Sequence, residues 1–171
     1  YLHNPNDPHS LGHDIVYAGL EDSNGIIWVA TLGGGLNRFN KIENNFKRLT
    51  HDPNDASSIS DNSVMSLIED KDGEIWAGTL AGGLNRLIKS SGTFTRYIND
   101  PADPNSISHN NVFSIYEDRS GRFWFCRYDV SPFGLEMFDK STGTFHVYHH
   151  DPNDPTSLSS DLIFGVFEDQ S

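Results

Sequence analysis

A chain of 171 residues with 24 carboxylates against 12 Lys and Arg, a net charge of -12, has no clustered positive surface to offer nucleic acid or an anionic membrane. Its apolar runs are too short to cross a bilayer of about 30 Å, and its single cysteine, Cys126, excludes an internal disulfide and a thiolate zinc site. With 15 Gly and 8 Pro spaced too closely for long helices, the composition points to many short strands joined by turns.

The chain opens with Asn4-Pro5 in a polar stretch, and strand-like runs follow near residues 15–21, 26–31, 36–40 and 46–49. Between the first two, Asp22-Ser23-Asn24-Gly25 supplies an Asp that can cap with its side chain and a Gly that accepts positive φ, the makings of a tight hairpin. The same order returns 48 residues on: Asp52-Pro53, then runs at Val64 to Glu69, Ile75 to Thr79, Leu84 to Ile88 and Phe94 to Ile98, with Asp70-Lys71-Asp72-Gly73 in the first turn. It returns again after Asp100-Pro101, and a fourth copy begins with Asp151-Pro152, 51 residues further. Trp28, Trp76 and Trp124 each stand three residues after a phased glycine, and the pairs Glu21-Asp22, Glu69-Asp70, Glu117-Asp118 and Glu168-Asp169 keep the phase.

Four short strands in a repeat of about 48 residues mark a β-propeller. The expected fold is all-β: a partial propeller of four-stranded antiparallel blades, with three complete blades at about 14–50, 62–98 and 110–149 and one strand of a fourth at 162–168. The first strand of each unit is apolar on both faces and carries a small residue at its centre (Ala18, Ser66, Ser114, Gly165), as suits the crowded ring around a propeller axis. The three tryptophans, one per unit at a fixed place, are expected between blades rather than under a ligand. The Asp/Asn/Pro/Ser-rich linkers recur in phase and are expected to be ordered crossings from outer to inner strands, each tucking in one apolar residue: Ile59, Ile107 and Leu158. Tyr1 aligns with the end of an outer strand and Phe167 with the end of an inner one, so the blades are expected to pack against other blades of a parent propeller or against a second copy of the chain.

The chemistry-bearing residues are few. Asp70-x-Asp72-Gly73 resembles the start of a calcium loop but lacks the further oxygen ligands and the distal Glu. Of the eight histidines, His51, His109, His149 and His150 lie in or beside the linkers at no metal-ligand spacing, and carboxylate pairs repeated in every unit argue against acid-base catalysis at a single site. No catalytic residue, metal or cofactor is therefore expected. The one irregularity is three extra residues in the third unit, where Thr79 to Gly83 becomes Arg127 to Gly134. The crossing linkers and the turns between second and third strands must share a face, because each strand reverses direction, so this insertion opens on the linker face. It holds the candidate ligand-binding residues: Arg127 to pair with a carboxylate or hydroxyls, Asp129 to accept from a polyol, Tyr128 and Phe133 to stack on a ring.

The units resemble the two-component regulator propeller repeat, with Val64, Leu67, Glu69, Asp70, Gly73, Ile75, Trp76, Gly78, Thr79, Gly82, Gly83 and Leu84 carrying its pattern. The first unit departs at Ala30 and the third at Phe125, Cys126 and Arg127. The resemblance implies an extracytoplasmic, periplasmic-side sensor region of a membrane-anchored histidine kinase or hybrid two-component protein, with a small-molecule or oligosaccharide ligand and the kinase elsewhere in the parent. A propeller enzyme of lyase or quinoprotein type and a protein-interaction scaffold are the alternatives.

Overall fold

The computed structural model describes residues 1–127 and 134–169. Twelve strands carry the fold: β1 (Val16–Glu21), β2 (Ile27–Thr31), β3 (Gly35–Asn40), β4 (Asn45–Leu49), β5 (Val64–Glu69), β6 (Ile75–Thr79), β7 (Leu84–Ile88), β8 (Thr93–Tyr97), β9 (Ser114–Glu117), β10 (Phe123–Cys126), β11 (Leu135–Asp139) and β12 (Thr144–Tyr148). They pair antiparallel into three four-stranded sheets in simple sequence order, β1 to β4, β5 to β8 and β9 to β12. The chain is a partial β-propeller, and no helix occurs among the described residues.

Each hairpin between the first and second strands closes as its composition requires. Gly25, Gly73 and Gly121 sit at φ of 74°, 80° and 82°, and each donates its N–H to the carbonyl of the Asp three residues earlier. In the first two units a bulge interrupts the inner hairpin ladder, between Val16 and Ala18 and between Val64 and Ser66. Next to that bulge the backbones of adjacent units come close. A Cβ on Gly78 would overlap Ser66 Oγ and the Val112 carbonyl.

The core lies between blades. Trp28, Ala30 and Leu36 of the first unit meet Ile59, Val64, Ile75, Ala77, Leu87 and Phe94 of the second. The second interface repeats this residue for residue with larger rings: Trp76 and Leu84 meet Ile107, Val112, Phe123, Phe125, Phe138 and Phe145, with Tyr97 packed against them. Trp28 and Trp76 are buried, and Trp124, which has no complete blade beyond it among the described residues, is half-buried. Ile59 and Ile107 are fully buried, while Leu158 is half-buried for the same reason as Trp124.

The linkers are ordered by repeated hydrogen bonds. In the second, the Asp52 and Ser58 amides bond to Ser58 Oγ and the Asp55 carbonyl, and Arg96 on β8 reaches the Ser58 and Asp55 carbonyls, each at 2.8 Å. Arg48 holds the first linker through the Ser10 and Asp7 carbonyls in the same way. Residues 162–168, expected as the first strand of a fourth blade, form no ladder, because the hairpin partner that would pair with them is not among these 171 residues. They dock nevertheless: Glu168 Oε2 accepts the Arg119 amide at 2.9 Å, as Glu69 accepts Ser23 and Glu117 accepts Lys71.

Candidate functional site

The two ends of the propeller axis differ chemically. On the hairpin end, the repeated Glu-Asp pair and tryptophan make one device. Asp70 Oδ1 accepts the Asp72 and Glu74 amides, and Oδ2 accepts the Trp76 indole N–H at 2.8 Å and Lys140 Nζ of the next blade at 3.0 Å. Lys140 also reaches Glu117, and Lys89 joins Asp22 to Glu69 across the first interface. Burial pushes the Asp70 carboxyl up, but the Glu74 amide, the Trp76 indole and Lys140 together hold it below the usual carboxylate range. Both carboxylate oxygens are thus engaged by protein donors, so Asp70 acts as a structural clasp. The repetition of these acids follows from this role.

On the linker end, the second-to-third-strand turns abut the linkers as the alternation of strand directions requires: Gly33 and Gly35 donate to the Asn62 carbonyl, Gly83 to that of Asn110 and Gly134 to that of Asp161. In the first two units a neutral pair holds each turn against its linker. Thr31 Oγ1 donates to the Gly35 carbonyl and accepts from Asn37, whose Oδ1 takes the Gly12 amide at 2.8 Å. Thr79 bonds to Gly83, and Asn85 Oδ1 takes the Ser60 amide at 2.9 Å.

The third unit replaces both members with charges. Arg127 occupies the Thr79 position and Glu136 the Asn85 position. Glu136 Oε1 takes the Ser108 amide at 2.6 Å and Oε2 the Ser108 hydroxyl at 3.0 Å, while Arg127 Nη2 donates to the same hydroxyl at 2.7 Å. Ser108 thereby links guanidinium to carboxylate as acceptor and donor together. Glu136 is 7% exposed. Burial pushes its carboxyl up, and the Ser108 bonds and the Arg127 charge offset only part of that. Glu136 escaped the sequence reading. Its signal was available, since the register after the insertion aligns it with Asn37 and Asn85.

Of the sequence-predicted ligand residues, Arg127 lies on the linker face, at the base of the insertion and tied to Ser108; Tyr128, Asp129 and Phe133 lie outside the described residues. The linker histidines take structural roles. His3, His51 and His150 present Nδ1 to the carbonyls of Leu11, Ile59 and Leu158, and in the third copy the Asn99 amide makes the equivalent bond to Ile107. An asparagine can do the work, so the position asks only for a side-chain hydrogen bond to that carbonyl. Cys126 is buried, and burial pushes its thiol up.

Because a carboxyl with a raised folded-state pKa is more stable protonated, Glu136→Gln is expected to melt at a higher temperature than the parent near pH 7.5. The gain should shrink as pH falls through the folded and then the unfolded Glu136 pKa, where the parent itself becomes neutral at this site. Thermal melts at pH 7.5 and 4.5 test this; a variant less stable at the higher pH would contradict it.

Comparison with known proteins places this geometry. The profile described as two-component regulator propeller matches residues 58–81 and 106–126. The extracellular domain of a hybrid two-component system protein from B. thetaiotaomicron is similar at 28% identity and a TM-score of 0.73, over 82% of this chain and 19% of that one. A second such domain from B. thetaiotaomicron is similar at 24% identity and a TM-score of 0.71, over 94% of this chain and 20% of that one. Virginiamycin B lyase from Staphylococcus aureus shares the fold at 19% identity and a TM-score of 0.55, over 89% of this chain and 45% of that one. The chain thus spans about a fifth of the length of the two extracellular domains. No match was found among curated proteins. No helix of the described residues is long and apolar enough to cross a membrane.

Proposed function

We propose that this chain, which the two-component regulator propeller profile matches over residues 58–81 and 106–126, forms part of the extracytoplasmic ligand-sensing propeller of a two-component signalling protein whose kinase lies elsewhere in the parent. The similarity to the extracellular domain of a hybrid two-component system protein supports the location and the system. The observation that carries the sensing role is the exchange in the third unit: the neutral Thr-Asn pair gives way to Arg127 and Glu136, which bracket the insertion in sequence. Rigid repeats place binding groups where one unit departs from the rest, on loops held by an ordered scaffold.

Arg127, Tyr128, Asp129 and Phe133 are then the groups that meet a small polyol or oligosaccharide, with hydrogen bonds from Arg127 and Asp129 and stacking from the two rings. Other blades of the parent, or a second copy of the chain, cover the exposed blade faces. The segment itself is not an enzyme in this reading; the lyase relative shares the fold alone. A screen of sugars and oligosaccharides on the intact parent protein, followed by the Tyr128→Ala, Asp129→Ala double change, tests the site. Affinity should fall tenfold or more. An unchanged affinity for a ligand that still binds the propeller would remove the site, and conversion of the ligand to a product would replace the sensor reading by the enzymatic one.

A further inference from the structure

The interface between the first two blades contains a cleft that its counterpart between the second and third does not reproduce. It measures about 270 Å³ and opens beside the β7–β8 turn; Trp28, Leu49 and Leu87 form its apolar wall, and Arg38, Lys47 and Lys89 bring positive charge to it. No carboxylate lines it, in a chain with twice as many acids as bases. In the second interface the matching cleft is about 200 Å³ and is lined by Asp70 and Asp72 together with Arg86 and Lys140.

Four changes produce the difference. Tyr97, which stacks on Trp76 with ring centres 5.5 Å apart, is Leu49 in the first unit, and Phe138 is Leu87, so aliphatic side chains leave more room than the aromatic rings that line the second cleft. Glu74, whose carboxylate lies 3.9 Å from Arg86, is Ile26, so Arg38 has lost the acid that its counterpart keeps. Thr95 is Lys47, which stands directly across the ladder from Arg38. Like charges directly opposite in an antiparallel pair are destabilising. Neither Arg38 nor Lys47 forms an ion pair among the described residues. Lys89 is already matched by Asp22 and Glu69, so the uncompensated charge is that of the Arg38-Lys47 pair.

We propose that this cleft binds a small organic anion: one carboxylate carried on a single ring, the ring against Trp28, Leu49 and Leu87 and the carboxylate between Arg38 and Lys47. A bidentate guanidinium contact suits a carboxylate, and an indole wall suits either an aromatic ring or the C–H face of a sugar ring. The volume lies just below the common range of ligand sites, roughly 300–1,000 Å³, and confines the body to one ring. Two sources share this chemistry, aryl carboxylates and uronic acids. The site lies wholly between two complete blades and does not depend on the insertion in the third.

Calorimetric titration of the intact protein with benzoate and with glucuronate, against the neutral analogues benzyl alcohol and glucose and against inorganic sulfate, tests the proposal. At least one of the two acids should bind, weaken with added salt, and exceed its neutral analogue and sulfate by tenfold or more; the tighter acid identifies the source. The Arg38→Gln, Lys47→Gln double variant should lose tenfold or more of that affinity. Leu49→Tyr, which copies Tyr97 and keeps every charge, should abolish binding while melting within a few degrees of the parent. The proposal is overturned if neither acid binds at millimolar concentration, if sulfate binds as tightly as both, or if the charge variant binds as well as the parent. Undiminished binding by a folded Leu49→Tyr protein also overturns it.

Discussion

Replacing Asp70 by alanine is expected to lower the unfolding free energy by about 3–5 kcal/mol, the usual cost of stripping one partner from a buried ion pair. The carboxylate accepts from two backbone amides, the Trp76 indole and Lys140, and its side chain is only 2% exposed. Its loss leaves the indole N–H without its acceptor and leaves Lys140 with Glu117 and the exposed Asp72 alone. Asp70→Asn keeps the oxygen that serves the two amides but turns a second donor toward the indole and the ammonium, so it should cost less, about 2 kcal/mol. Asp118→Ala should also cost less than Asp70→Ala, because among the described residues Asp118 is paired with Arg122 of its own hairpin and not with a lysine of a following blade.

The pH dependence of the clasp has a definite sign. Asp70 is held below its ordinary range in the folded state, so its contribution is present above the unfolded carboxyl pKa near 4 and disappears as pH falls through the folded one. Burial lowers the Lys140 pKa, but Asp70 and Glu117 more than reverse this, so its contribution is complete below about 10.4 and disappears as pH rises through the folded value. Urea unfolding of the parent and of Asp70→Ala should therefore differ most across the neutral range and converge in acid. A neutral-pH difference below about 1 kcal/mol would show that the clasp is no stronger than a surface pair.

Trp76→Ala is expected to cost about 3–5 kcal/mol as well, by opening a cavity in the most aromatic part of the core. The ring is 2% exposed, stacks on Tyr97, and meets Phe123 edge-on with centres 4.7 Å apart. Trp124→Ala should cost clearly less, since that ring is half-buried and has Tyr148, 5.8 Å away, as its aromatic neighbour. Trp76→Phe separates the two roles of the indole: most of the packing stays and the bond to Asp70 goes, at a cost of about 1 kcal/mol. Denaturant melts of the three variants check the order. Equal costs for Trp76→Ala and Trp124→Ala would show that burial between complete blades adds nothing.

Much of this architecture is legible in one dimension because it is local and repeated. Gly73 at positive φ, Asp70 capping its own hairpin, the fixed place of Trp76 three residues after Gly73 and the linker turn from Asp52 to Ser58 all involve residues close in sequence, and three phased copies separate such requirements from chance. The role of Trp76 in packing was readable on the same ground; its bond to Asp70, six residues away, was not, because spacing does not say which way an indole N–H turns.

What the tertiary structure alone decided lies in contacts between segments distant in sequence. That Lys140 reaches back to Asp70 and that Glu168 takes the Arg119 amide without a strand beside it depend on which side chains two different units bring to one place, and that Glu136 meets Arg127 through Ser108 depends on how the third unit's linker meets its own strands. A departure from the repeat, whether Glu136 for Asn85 or Leu49 for Tyr97, is visible as a letter in the sequence. It becomes a charge exchange or an open cleft only when the partner across the interface is known, because burial and hydrogen bonding are properties of pairs.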